Sequence, residues 1–306
     1  MGKIGSMMDK PWRGMMSIVV TPFTRTYELD EQGLKKLVRF CIEAGAAGLV
    51  GPANASEFTT LSDDERRRWI DIVVGEAAGQ VPVVASVTSG HTLPAVALSC
   101  YAERAGAAGI MSMPPHILHP DSEGCFAFYQ ALNSAVTLPI CIQNFNNPIG
   151  TPMTSQLLAQ MCAELERVVY IKEETSPEPR KITHAIKAAQ AGCLGVLGGQ
   201  GGVYMIDEHR RGACGNMPGC HTTDILVEIW NRLEAGDEQG ARTLLNQILP
   251  LMSYERLYGV AVYKYVLHRR GLIDTSLRRA PGGDMDDYDI VELEKLWPSV
   301  EALFRV

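Results

Sequence analysis

The stretch "EAGAAGLVG" (Glu43–Gly51) returns almost unchanged as "RAGAAGIMS" (Arg104–Ser112). Looser copies stand at 190–198, "QAGCLGVLG", and at 210–218, "RRGACGNMP". In each copy an amphipathic segment reaches a glycine, which can adopt the left-handed conformation that ends a helix, and an apolar run follows. The repeat therefore predicts several helix-to-strand junctions within one α/β fold.

Eight short apolar runs are the candidate strands, and their lack of strict alternation is typical of strands covered on both faces. They are Ser17–Pro22, Gly48–Pro52, Pro82–Val87, Gly109–Met113, Pro139–Asn144, Val168–Glu173, Leu194–Gly199 and Ala213–Pro218. Two of the amphipathic stretches between them open with good helix caps, Asp30 and Ser62, and Glu65 completes a capping box with Ser62. Eight strands that alternate with helices predict a (β/α)8 TIM barrel.

A doubly wound open sheet is the main alternative to the barrel. Such a sheet usually carries a phosphate-binding glycine cluster after its first strand, whereas the first strand here continues into "VVTPFTRT" at 19–26. After Thr222 the pattern is wholly helical, and we expect the first of these helices to close the barrel. The predicted organisation is a barrel over residues 1–235 and a C-terminal helical extension over 236–306.

The composition of the 306-residue chain is that of an ordinary globular protein, with 46% hydrophobic residues and a net charge of −7. Acidic and basic residues are mixed along the chain, and no dense basic patch suggests a nucleic-acid partner. No apolar run is long enough for a membrane span. The composition therefore predicts an acidic enzyme or binding protein that works away from nucleic acid and membrane.

The eight cysteines form no CxxC pair, and several lie in apolar runs. We expect free thiols in a reducing compartment. The first ten residues contain no apolar segment of the kind that directs secretion. Gly2 and Ser6 fit a short acylation pattern that chance easily produces. A cytoplasmic location is the prediction.

In a barrel, the residues at the C-terminal ends of the strands face the active site. The candidate site residues are therefore Thr21, Pro22, Asn54, Ala55, Ser56, Glu57, Thr88, Ser89, Pro114, Pro115, His116, Gln143, Asn144, Lys172, Gly198, Gly199, Gln200 and Asn216. The glycine-rich stretch at 197–204, "LGGQGGVY", follows the seventh strand, which is a common position for binding an anionic group.

Lys172 is the lysine that ends an apolar strand, in "RVVYIKEETSPE". Burial disfavours an ammonium group, so a desolvated amine can attack a ketone to form a Schiff base. The protonated imine then makes the neighbouring carbon acidic, which suits either carbon–carbon cleavage or loss of water. A solvated lysine in a surface "KEE" cluster is the alternative. Strand alternation directs Glu173 away from the barrel interior but does not fix the direction of Glu174.

No metal or other cofactor is predicted. His116 and His119 lie three apart in "PPHILHP", but prolines precede them and no third ligand is evident. His91 lies near a helix start, where a capping or surface residue is expected rather than a catalyst.

Five features together resemble the dihydrodipicolinate synthase/N-acetylneuraminate lyase superfamily. They are "VTPFT" after strand 1, "SEFTTLSDDERR" after strand 2, a proline pair after strand 4, "YIKE" on strand 6 and the helical C-terminus. The resemblance implies a class I enzyme that forms a Schiff base with pyruvate or another 2-keto acid through Lys172. It also implies a homotetramer.

Departures from the family pattern indicate which branch of the superfamily this sequence resembles. The usual carboxylate-binding loop is replaced by "ANASE", in which Asn54, Ala55 and Ser56 would offer backbone N–H groups, an amide and a hydroxyl. Gly199 and Asn216 at later strand ends complete the expected substrate-binding set. The family's catalytic tyrosine on strand 5 is replaced by Gln143, which cannot titrate but could orient substrate or water.

The combination of "ANASE", "MPP", "QN" and "KEET" resembles the branch that contains 2-keto-3-deoxy-L-arabonate dehydratase. The resemblance implies a dehydratase of a 2-keto-3-deoxy sugar acid. The alternatives are an aldolase that cleaves a 4-hydroxy-2-keto acid and a keto-acid-binding protein without turnover. His116, a bound water and the substrate's own carboxylate are the candidate proton carriers.

Overall fold

Eight parallel strands close into a barrel in chain order, and the computed structural model describes residues 11–306. The N-terminal segment considered above for secretion and acylation lies outside this range. The strands are β1 (Gly14–Ile18), β2 (Gly48–Gly51), β3 (Val83–Ser86), β4 (Gly109–Ser112), β5 (Ile140–Phe145), β6 (Val168–Glu174), β7 (Gly195–Gly198) and β8 (Gly215–Asn216). The predicted TIM barrel is confirmed.

Helices alternate with the strands and then continue alone to the C-terminus. They are α1 (Glu31–Glu43), α2 (Asp63–Ala77), α3 (Thr92–Ala105), α4 (Ser122–Ala135), α5 (Ser155–Glu164), α6 (Glu178–Ala189), α7 (Met205–Arg210), α8 (Thr223–Glu234), α9 (Glu238–Tyr258), α10 (Val260–Arg269) and α11 (Asp287–Glu301). The boundary predicted after residue 235 falls between α8 and α9. No helix within residues 11–306 is long and apolar enough to cross a membrane.

The helix starts follow the predicted capping chemistry. The Asp30 side chain accepts the N–H of Gly33 at 2.9 Å. Ser62 and Glu65 exchange both bonds of the predicted capping box, because each side chain accepts the other residue's backbone N–H. These bonds satisfy amide donors that the first turn of a helix leaves free.

The helix ends follow the glycine pattern in three of the four repeats. Gly45, Gly106 and Gly212 have φ of +86°, +92° and +98°, where a side chain would be strained. The prediction is wrong for Gly192, because a short 3₁₀ turn at Gln190–Gly192 ends the helix there. At Gly192 a Cβ would lie 2.6 Å from the Cys162 carbonyl oxygen, so close backbone approach accounts for this glycine.

The first strand lies earlier than predicted and the last is shorter than predicted, whereas the ends of the other six differ by one residue at most. β1 was expected at Ser17–Pro22, but its ladder with β8 begins earlier, at Gly14 opposite Gly215. Residues 19–22 therefore leave the barrel ladder as an extended loop. β8 keeps only two residues, because it pairs in register only briefly with β7 and β1.

Apolar side chains pack on both faces of the barrel sheet. The large cluster between strands and outer helices includes Leu37, Trp69 and Ile142, all fully buried. The barrel interior is filled by a second cluster, and its floor is Trp12 stacked on Tyr170 at 4.3 Å between ring centroids. The floor closes the barrel at the N-terminal ends of the strands, so a ligand can enter only from the other end.

The C-terminal helices form a third apolar cluster together with α7 and α8. Helix α9 ends at Tyr258, and a break separates it from α10. The break falls at Gly259, where φ is +52°. This break turns α10 so that α9 and α10 both reach the open end of the barrel.

Candidate active site

A cavity of about 290 Å³ opens at the C-terminal ends of the strands. Strands β1, β5 and β6 contribute to its lining, as do the loops after β2, β7 and β8 and the helices α9 and α10. Its lining residues are Ile18, Asn54, Ala55, Gln143, Phe145, Lys172, Glu174, Gln200, Gly201, Val203, Met217, Gly219, Met252, Glu255, Arg256, Gly259, Val260 and Tyr263. The cavity is thus built by both the barrel and the extension.

Lys172 lies at the centre of this cavity on β6. Its side chain is only 2% exposed, which excludes the solvated surface cluster considered above. Its Nζ atom lies 3.0 Å from Oε2 of Glu174, whose side chain is also buried. A buried amine beside a carboxylate has a nearby acceptor for its proton, which a nucleophilic lysine must lose.

Glu174 is the site residue that the sequence analysis left undetermined. It lies two residues after Lys172 on the same strand, and this spacing puts both side chains on one face. The Gln143 amide donates to the same Oε2 at 2.9 Å. The other oxygen, Oε1, accepts the backbone N–H of Gln200 at 3.4 Å. Both carboxylate oxygens are therefore held in place at the side of the lysine.

Glu173 points away from the cavity, as strand alternation predicts. Its carboxylate accepts the Asn144 amide at 2.8 Å and the Thr175 backbone N–H at 2.8 Å. Burial raises the pKa of Glu173, and these hydrogen bonds oppose the shift. The two neighbouring glutamates thus have different roles, since only Glu174 contacts Lys172.

The loop after β2 contributes two of the three predicted substrate ligands. Asn54 and Ala55 line the cavity, and the Asn54 side-chain amide nitrogen is buried without a partner among the described residues. Ser56, the third, does not line the cavity, and its hydroxyl donates to the Val19 carbonyl at 2.6 Å. The serine therefore braces the loop against the extended segment after β1.

Gly199 and Asn216, two of the predicted substrate-binding residues, do not line the cavity. A Cβ at Gly199 would lie 2.3 Å from Oε1 of Glu174, so this glycine makes room for the carboxylate. Asn216 donates to Glu208 at 2.8 Å in a buried cluster. Burial raises the pKa of Glu208 to about 8, so its carboxyl is neutral at lower pH.

His116, one of the candidate proton carriers, lies outside the cavity lining. Its half-buried ring meets Phe58 edge-on at 5.3 Å, and burial lowers its pKa. Of the two expectations for His91, the structure shows the cap, because its ring accepts the Leu93 N–H at 3.2 Å at the start of α3. Within residues 11–306, no group of three or more histidine, cysteine, aspartate or glutamate side chains is placed to hold a metal ion.

The extension supplies cavity residues that sequence reasoning missed, namely Glu255, Arg256 and Tyr263. Glu255 lies 2.8 Å from Nε2 of His221, and both side chains are buried. The His221 ring stacks on Tyr263 at 4.4 Å between centroids. No local motif marks these residues, because only the long-range packing of α9 and α10 brings them to the barrel mouth.

A closed barrel whose mouth holds a buried primary amine beside a carboxylate defines a class, the barrel enzymes equipped for Schiff-base chemistry. The chain matches the model of the dihydrodipicolinate synthetase family over residues 11–297. The chain therefore belongs to this family, and it is an enzyme, a lyase of the type that uses a Schiff-base lysine.

Relatives within this family differ in activity. The chain is 31% identical, over 88% of each chain, to the L-2-keto-3-deoxyarabonate dehydratase of Azospirillum brasilense. It is 31% identical to a 4-hydroxy-tetrahydrodipicolinate synthase of Methanopyrus kandleri, over 78% of this chain and 79% of the relative. The solved dihydrodipicolinate synthase of Rhodopseudomonas palustris superposes with a TM-score of 0.86 at 27% identity, covering 94% of this chain and 97% of the other.

Proposed function

We propose that this lyase removes water from a 2-keto-3-deoxy sugar acid through a Schiff base on Lys172. The observation that carries the proposal is the buried pair of Lys172 and Glu174, 3.0 Å apart, at the mouth of a closed barrel. The amine supplies the nucleophile, and the carboxylate supplies a base next to the carbon that the imine makes acidic.

The substrate carboxylate would be held by the loop after β2. Asn54 has a buried amide nitrogen without a partner among the described residues, and leaving such a donor unpaired costs free energy. A bound carboxylate would satisfy this donor and place the neighbouring ketone carbon toward Lys172. Asn54 and Ala55 are therefore the proposed carboxylate-binding residues.

The reaction begins when the Lys172 amine attacks the C2 ketone and water leaves, which gives a protonated imine. Glu174 then removes a proton from C3, and the C4 hydroxyl departs as water. The resulting unsaturated imine isomerises through an enol to an aldehyde, and hydrolysis frees Lys172. Gln143 holds Glu174 through the 2.9 Å bond and keeps its carboxylate directed at the reacting carbon.

Two lines of support favour dehydration over the synthase reaction. A dehydratase of a keto-deoxy acid is among the most similar relatives. Gln143 also stands where the family pattern expects a tyrosine, and the arginine that synthases place shortly after it is absent. An aldolase that cleaves a 4-hydroxy-2-keto acid needs the same lysine and is the second candidate.

Product analysis separates these two candidates. The purified enzyme is incubated with 2-keto-3-deoxy pentonates of each configuration, in which C5 is the terminal CH2OH carbon. A dehydratase yields an aldehyde product with one water fewer than the substrate, measured by an aldehyde dehydrogenase coupled to NAD. An aldolase instead releases pyruvate, which lactate dehydrogenase detects. Pyruvate release without dehydrated product would contradict the proposed dehydratase.

The proposal includes a homotetramer in a reducing, cytoplasmic compartment. All eight cysteines are free in the structure, and five of them are buried. Burial raises the pKa of several of these thiols, among them Cys214, to about 12, and Cys125, to about 11. Thiols with raised pKa are poor nucleophiles and fit a structural role in a reducing environment.

A further inference from the structure

The cavity has two walls of different origin. The barrel supplies Lys172, Glu174 and Gln143, which account for imine formation and for removal of the C3 proton. The extension supplies Glu255, Arg256 and Tyr263, for which the reaction described above has no use. Dehydration also needs a proton donor for the departing C4 hydroxyl, because hydroxide is a poor leaving group.

Two buried polar side chains, His221 and Glu255, hold the Tyr263 ring in place. The ring stacks on His221 with an interplanar angle of 21°, and His221 is fixed by the 2.8 Å contact with Glu255. A Cβ at Gly219 would lie 3.2 Å from both His221 Nδ1 and the Tyr263 ring, so a glycine lets the backbone pack against them. Burying a histidine–carboxylate pair carries a desolvation cost, and the contact fixes the position of the tyrosine ring.

Tyr263 and Glu174 line the same cavity, and the Tyr263 hydroxyl is a free proton donor. It makes no hydrogen bond to any group that the structure describes. Burial raises the pKa of Tyr263, and the carboxylates of Glu255 and Glu174 raise it further. The phenol therefore keeps its proton, and a ligand in the cavity can satisfy this donor.

We propose that Tyr263 donates the proton that allows the C4 hydroxyl to leave, with His221 and Glu255 as positioning residues. This inference rests on the proposed function. Glu174 takes the C3 proton, the C–H electrons form the C3–C4 double bond, and the C4–O bond breaks. The phenol proton passes to the departing oxygen, which leaves as water. The phenolate then recovers a proton from the Glu174 carboxyl, so both groups return to their starting states.

The experiment compares Tyr263→Phe with Tyr265→Phe. Tyr265 is on the same helix, but its hydroxyl contacts Glu294 at 2.5 Å and does not line the cavity. Each protein is assayed for borohydride trapping of pyruvate, for exchange of the pyruvate methyl protons in D2O, and for dehydration of 4-hydroxy-2-keto acids. Pyruvate has no C4 hydroxyl, so its exchange needs Lys172 and Glu174 but not Tyr263.

We expect Tyr263→Phe to trap and exchange pyruvate within about 3-fold of wild type and to lose dehydration by about 10²-fold or more, the usual effect of removing a general acid. Tyr265→Phe should retain all three activities. For the positioning role, Glu255→Ala should lower the dehydration kcat, and Glu255→Gln, which can still hydrogen-bond His221, should restore most of it.

Dehydration by Tyr263→Phe at the wild-type rate would overturn the inference, as would a parallel loss of exchange and dehydration. A wild-type enzyme that traps and exchanges pyruvate but dehydrates none of the acids would contradict the proposed dehydratase, and the inference with it, while leaving the Schiff base in place. Normal dehydration by Tyr263→Phe would overturn the inference alone, whereas failure of the wild type to trap pyruvate would contradict the Schiff base on Lys172.

Discussion

At the scale of single residues, the two acids that follow Lys172 differ completely in their surroundings. Glu173 is tied to Asn144 and Thr175 outside the cavity, whereas Glu174 contacts Lys172 and Gln143 within it. A period of two along β6 produces this difference. The position of Glu174 could thus have been predicted from the strand, had the strand been extended by one residue.

Glu174→Gln tests the proposed base. The amide is isosteric but cannot accept a proton, so we expect pyruvate methyl exchange to fall by about 10²-fold or more. Proton NMR in D2O measures this rate. Glu173→Gln is the matched control, because its side chain points away from the cavity, and its exchange should stay near the wild-type rate. Equal losses in both variants would contradict the assignment.

Gly199→Ala tests whether room beside Glu174 is essential. The added Cβ would lie 2.3 Å from Oε1, so the carboxylate must shift away from Lys172. We expect exchange of pyruvate protons to slow by about 10-fold or more, an order-of-magnitude expectation for a misplaced catalytic group. Gly75→Ala in α2 is the control, since nothing lies within 4 Å of a Cβ there. Unchanged exchange in Gly199→Ala would show that the carboxylate tolerates displacement.

At the scale of elements, the interior strands were predictable and the junction of β8 with β1 was not. Short apolar runs mark β2 to β7, because both faces of these strands are covered. The apolar run "SIVVTP" continues past the end of β1, and no local signal shows that the ladder stops at Ile18. The ladder with β2 ends there, at the pairing of Ile18 with Val50, and this pairing is a tertiary contact.

The hydrogen bond that joins β8 to α7 predicts how the unfolding free energy depends on pH. Glu208 of α7 accepts the Asn216 amide of β8, and burial raises the pKa of its carboxyl from 4.5 to about 8. Between these values the folded chain holds a proton that the unfolded chain has released. The unfolding free energy should therefore fall with rising pH across this window, by up to about 1.4 kcal/mol per pH unit.

Glu208→Gln removes this titration and keeps an acceptor for Asn216. Urea unfolding from about pH 5 to about pH 8 measures the difference between the two proteins. We expect the variant to gain stability relative to wild type as the pH rises. A difference that stays constant across this range would show that the buried carboxyl does not titrate there.

At the scale of the whole molecule, the extension is bound to the barrel by a buried ion pair. Lys264 of α10 lies 2.5 Å from Oε1 of Glu57, in the loop after β2. The other oxygen of Glu57 accepts the backbone N–H groups of Arg279 and Ala280 at 2.9 and 2.8 Å. These contacts join residues more than 200 apart in sequence, so no local pattern could have predicted them.

Lys264→Met tests this connection. The substitution leaves Glu57 buried without its cation, so we expect the unfolding free energy to fall by about 3 to 5 kcal/mol. Urea unfolding provides the measurement, and the double variant with Glu57→Gln should lose less than the two single costs combined. Lys295→Met is the control, because its pair with Glu292 is exposed and should contribute no more than about 1 kcal/mol. Equal effects of the two lysine substitutions would contradict the account.

The part of the site built by the barrel is more predictable from sequence than the part built by the extension. Lys172, Gln143, Asn54 and Ala55 follow from the rule that strand ends face the active site. Ser56 and Asn216 obey the same rule, but their side chains bond to neighbouring elements. Tyr263 lies on a helix whose approach to the barrel depends on tertiary packing, and a single sequence does not specify that approach.

Reductive trapping on Lys172 tests the central claim most directly. The enzyme is incubated with pyruvate, reduced with borohydride, digested and mapped by mass spectrometry, with Lys172→Arg as the control. We expect the adduct on the peptide that carries Lys172, and none in the control. An unmodified Lys172, or an adduct on Lys264, the other fully buried lysine of the described chain, would contradict the account.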